Sequence, residues 1–98
     1  MRVLDLLQLL HDYNKNTPVR LRVGDQVVNI GTFERRVWRE QPQLIFQPRT
    51  GGKPLKCWEV MVLIDQHDWR QHYVYVQEAD DIRPLFGFQE QPAGLVLN

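Results

Sequence analysis

With 98 residues, a formal net charge of zero and a single cysteine, the chain is sized for one domain with one core. It carries no strong net attraction to a polyanion and has no internal disulfide. The lone thiol, Cys57, suits a reducing compartment, so the cytoplasm is the expected location; no apolar run reaches the ~18 residues a membrane span needs, and Asp5 and Asp12 spoil the leucine-rich opening as a signal peptide.

The charge layout is less neutral than the total. Residues 15–56 hold nine basic against three acidic side chains, a net +6, whereas residues 57–98 hold two against seven, a net −5. A basic middle and an acidic end fit pairing within the molecule or between copies of it.

Residues 3–13 predict an amphipathic helix, because Leu6, Leu9, Leu10 and Tyr13 recur at helical spacing, joined by Val3 and Leu7, while Asp5, Gln8 and Asp12 form a wet face. Asn14 and Pro18 supply its stop. Val19-Arg20-Leu21-Arg22-Val23 then alternates as a strand does, and Gly24-Asp25 suits a two-residue hairpin turn. That loop sets a register: Val19 faces Ile30, Leu21 faces Val28 and Val23 faces Gln26, with Arg20 and Arg22 on the opposite face.

Gly31 to Arg36 carries no readable pattern, and Val37-Trp38-Arg39-Glu40 predicts a short strand ended by Gln41-Pro42. Residues 43–77 read as an antiparallel meander of three runs. Gln43–Gln47 and Leu55–Ile64 flank Gly51-Gly52 as a hairpin, with the second run apolar on both parities and therefore a central strand. Gln71–Gln77, with Tyr73 and Tyr75 on one face and Val74 and Val76 on the other, is expected beside it. Within the segment 80–98, Gly94-Leu95-Val96-Leu97 is expected to close the sheet as an edge strand.

The opening Val3-Leu4-Asp5-Leu6-Leu7-Gln8-Leu9-Leu10, followed by Pro18-Val19-Arg20-Leu21, resembles the start of many small uncharacterised bacterial and phage-type proteins. That resemblance covers about the first third of the chain. It implies a short helix leading into a sheet, and it carries no activity, cofactor or site.

Four constellations bear on function. Asp65, His67, Asp68 and His72 are metal-ligand types, but the five-residue histidine spacing across a turn matches neither a strand nor a helix face, and a polar loop accounts for them as well. Cys57 with His67 or His72 would need a stabilised thiolate, whereas the thiol lies in an apolar run. Arg20, Arg22, Arg35, Arg36 and Arg39, with Phe33 and Trp38 interleaved, are phosphate- and base-contacting types. Leu85, Phe86 and Phe88 with Leu95, Val96 and Leu97 form an apolar segment suited to strand addition or another protein contact.

The expectation is a single α+β domain over residues 1–98. An N-terminal helix packs on a mostly antiparallel, meander-like sheet of five or six strands within residues 18–77. Its expected role is non-catalytic, as an interaction or assembly module that associates with itself through the apolar C-terminal residues, with no cofactor, metal or membrane partner. The alternative is a nucleic-acid-binding accessory protein that uses the five arginines.

Overall fold

Val3, Leu6 and Leu10 are fully buried along one side of helix α1 (Val3–His11) in a computed structural model that describes residues 1–98. The Asp5 carboxylate accepts the Arg2 backbone N–H at 2.9 Å, satisfying one donor that the helix start leaves free. Strands β1 (Pro18–Val23), β2 (Gln26–Trp38), β3 (Gln41–Arg49) and β4 (Leu55–Lys56) follow. Next come helix α2 (Cys57–Ile64), a single 3-10 turn (His67–Trp69), and β5 (Tyr73–Glu78), β6 (Asp81–Pro84), β7 (Phe88–Gln91) and β8 (Gly94–Leu97).

The α+β class holds, but the sheet is mixed and larger than expected. Its order is β6-β5-β3-β2-β1-β8-β7, with β4 paired to β1. Two neighbouring pairs are parallel, β3 with β5 and β1 with β8. A parallel neighbour needs a crossover, and residues 50–72, containing α2, supply it between β3 and β5. The sheet curls into a half-barrel. Its two ends of strand order converge: Phe86 and Gly87, in the link from β6 to β7, donate to the Asn98 carbonyl at 2.8 and 3.0 Å.

The first hairpin has the register set by its turn, with Leu21 opposite Val28 and Val23 opposite Gln26, and Gly24 at φ 58. Beyond it the pairing shifts between Ile30 and Thr32, where Gly31 sits in a β-bulge. An inserted residue reverses the parity of everything after it. Phe33, opposite Phe46, therefore faces the core, and Glu34, Arg36 and Trp38 face away from it.

Residues 55–64 overturn the central-strand expectation. Only Leu55 and Lys56 are extended; Cys57, Val60 and Ile64 are buried at helical spacing on α2. The Glu59 carboxylate accepts the Lys56 N–H at 3.0 Å, the same device as Asp5 at α1. Because apolar residues occupy nearly every position of this run, neither period stands out in the sequence. The meander expected over residues 43–77 is accordingly replaced by a strand, a helix and a parallel strand.

Strand β8 is not an edge either. It lies between β1 and β7, and Leu95, Val96 and Leu97 are buried. The core fills the space inside the curl: Val19, Leu21, Ile30, Leu44, Phe46, Val74, Val76, Leu85, Leu95 and Leu97 from the strands and the β6–β7 link meet the buried sides of α1 and α2. No helix is long and apolar enough to cross a membrane.

Candidate interaction surface

The metal-ligand types between α2 and β5 have other partners. The Arg70 guanidinium donates to Asp65 Oδ1 at 3.1 and 3.3 Å, and Arg35 reaches Asp68 Oδ2 at 3.5 Å. His67 is exposed in the 3-10 turn, whereas His72 is buried. Burial pushes the His72 pKa below the ordinary histidine value, and the Arg35 charge adds to the shift. Its Nε2 accepts a 3.4 Å hydrogen bond from Arg35 Nε, the pattern of a neutral ring. Cys57 is buried on α2, where desolvation raises its thiol pKa and suppresses the thiolate.

The sheet divides the five arginines among four places. Arg20 and Arg22 lie opposite Asn29 and Val27 on the face away from the core. Arg36 follows Asn29 along β2 by roughly 20 Å, at about 3.3 Å per residue. Arg35, next to Arg36, points to the other side, where its guanidinium lies 5.4 Å from the Trp69 ring centre. Arg39 sits at the tip of the β2–β3 hairpin, 4.5 Å from the Trp38 ring centre.

The apolar C-terminal residues are also divided. Leu85, Leu95, Val96 and Leu97 are buried within the chain, which withdraws them from any contact with a partner; Phe86 is 78% exposed and Phe88 38%. Strand addition at β8 is corrected on the same ground, because both of its sides are already paired.

A surface that the sequence reading assigned to the interior takes their place. Helix α2 is apolar at every position but Glu59, yet only one side of it reaches the core. Trp58, Val62 and Leu63 remain 45%, 64% and 44% exposed. A groove of about 450 Å³ runs between the two helices, lined by Leu10, Tyr13, Lys15, Trp58, Val62 and Asp65 among others. Tyr13 continues this surface to the sheet, since its ring meets Phe88 edge to face at 5.8 Å between centres. Its hydroxyl donates to Glu90, and chiefly through that bond its pKa is pushed up to about 12. The signal was present in the sequence as a helix-length run with too few polar residues for a surface helix.

No family model, curated protein or solved structure matches this chain.

Proposed function

We propose that the chain is a non-catalytic module that associates with a second copy of itself through α2, Tyr13, Phe88 and Phe86, in a reducing compartment such as the cytoplasm. The observation that carries this reading is α2. A helix apolar at all but one position is stable when surrounded, and here Trp58, Val62 and Leu63 face water. Tryptophan, tyrosine and phenylalanine dominate contact energetics, and Trp58, Tyr13, Phe88 and Phe86 follow one another around this side of the molecule.

A second copy fits the surface by charge as well as by apolarity. Lys15 and Asp65 line the same groove, so a two-fold contact can set each against its opposite on the partner. Zero net charge removes long-range repulsion between copies. A polyanion fits less well, because the fold disperses the arginines that would have formed its site.

Light scattering on the intact chain tests the proposal. The wild type is expected at twice the chain mass, and Trp58→Glu combined with Val62→Asp at one chain mass with its circular dichroism unchanged. A one-chain mass for the wild type at high concentration refutes it.

A further inference from the structure

The sheet face turned away from both helices holds a cleft near the β2–β3 hairpin tip, remote from α2. Its volume is about 310 Å³, and Arg36, Trp38, Gln43, Tyr75 and Ile82 line it. That is the size of a small ligand site, or of a pocket for one unit of a longer chain. Alternate residues of four adjacent strands build it: Arg36 lies opposite Gln43, and Tyr75 and Ile82 project from β5 and β6 on the same face. The bulge at Gly31 decides this arrangement, since without it Arg36 and Trp38 would point into the core.

Gln43 marks the cleft as unfinished. It is 2% exposed, and its Oε1 has no hydrogen-bond partner. Buried carbonyl oxygens are almost always paired, so a buried amide left unpaired in a cleft wall is a recognition group in want of a donor. The last torsion of a glutamine is soft, and rotation about it presents either the oxygen or the NH₂ to a bound molecule. The cleft also borders a strained turn: Arg39 and Glu40 both take left-handed backbone angles, φ 50 and 65, and strain of that kind gathers at functional sites.

We propose that this cleft takes a nucleobase with its attached phosphate. The ring stacks against Trp38 and Tyr75, its polar edge pairs with the Gln43 amide, and the phosphate meets the Arg36 guanidinium. Competing ligands fit worse. Two guanidiniums, those of Arg36 and Arg39, repel a cationic ligand such as a methylated lysine. A proline ring stacks on aromatics but has no N–H to satisfy Gln43 Oε1. Glu34 lies 3.5 Å from Arg36 in an exposed contact, so the site offers charge for one phosphate and no basic track for many. The same base-and-phosphate unit comes from a free mononucleotide or from a single-stranded oligonucleotide.

Two-dimensional NMR of the full chain tests the proposal through the Trp38 indole signal, assigned by its loss in Trp38→Phe. The probes are uridine and adenosine 5′-monophosphates, the parent nucleosides, an oligothymidylate, inorganic phosphate and a proline-rich peptide. Saturable shifts of Trp38 with the nucleotides, and none with phosphate alone, are expected. An oligothymidylate bound more than about tenfold tighter than a mononucleotide identifies a single strand as the source, and equal affinity identifies a free nucleotide. Gln43→Met should weaken binding about tenfold while raising the melting temperature, because it removes both the pairing group and the unpaired buried oxygen. A merely structural glutamine would lower the melting temperature instead. Arg36→Gln should weaken the nucleotides about tenfold and leave the nucleosides unchanged. Absence of any Trp38 shift at millimolar nucleotide, a response to the proline-rich peptide alone, or unchanged affinity in Gln43→Met overturns the proposal. Should Gln43→Met fail to fold, Tyr75→Ala at a partly exposed position replaces it, read through the same Trp38 signal, and unchanged affinity there is equally fatal. Each outcome is independent of the oligomeric state.

Discussion

His72 shows how one side chain couples the fold to pH. It is buried beside Arg35 with its Nδ1 unpartnered, and Asp68 supplies only an opposing contribution to its shift. Its pKa is lower in the folded chain than in the unfolded one, so protonation favours unfolding. Stability from this group is full above the ordinary histidine range, near ~6.5, and is lost as pH falls below it. Denaturant midpoints measured between pH 7.5 and 5 are expected to fall for the wild type and to fall less for His72→Phe; parallel curves would remove His72 as the cause. At the β2–β3 tip, Arg39 and Glu40 occupy a conformation that asparagine and glycine tolerate better. Replacing Arg39-Glu40 with Asn-Gly is expected to stabilise the chain by about 1 kcal/mol or more, read as a raised denaturant midpoint.

At the scale of elements, the joint between β1 and β8 is sterically tight. Gly94 opens β8 at φ 135, and a methyl group there would lie 2.4 Å from the Pro18 carbonyl oxygen. Both are backbone constraints, so neither yields by a rotamer change. Gly94→Ala is expected to cost about 2–4 kcal/mol in urea unfolding. A second joint is polar. Glu78 accepts the Gly24 N–H at 2.6 Å and an Arg83 bond at 3.0 Å, and Arg83 also donates to the Arg22 carbonyl, so one pair ties the first hairpin turn to β5 and β6. Truncating Glu78 to Ala leaves these donors without their acceptor at a partly buried site. The expected loss is about 1–2 kcal/mol, against near zero for an exposed pair such as Arg36 with Glu34.

For the whole molecule, the place of β8 inside the sheet makes the C-terminal residues structural. Leu95 and Leu97 belong to the same core as Val3, Leu6 and Leu10, and β8 joins β1 to β7. Deleting residues 94–98 is therefore expected to abolish cooperative unfolding by circular dichroism, rather than only to lower the mass of an assembly. A folded, shortened chain would contradict the arrangement of the strands. The two proposed surfaces lie on different sides of this curled sheet. Helix α2 covers the core, and the Gln43 cleft opens on the sheet face that the core does not touch.

Features that depend on near neighbours in the chain are legible from residue order. Leucines at helical spacing fixed α1, and a glycine at the first position of a two-residue turn set the pairing of β1 with β2, since both are local constraints. Tertiary structure decided the rest. A run apolar on both parities satisfies a buried strand and a helix equally, and the Glu59 cap together with the need to cross from β3 to a parallel β5 favours the helix. One residue inserted at Gly31 decides which side of β2 carries Arg36 and Trp38; a glycine inside a strand signals a bulge, but only the pairing with β3 fixes the insertion. The same holds for Leu95 to Leu97: an apolar strand near the end of the chain becomes interior or edge according to where the sheet curls, which is a property of all the strands together.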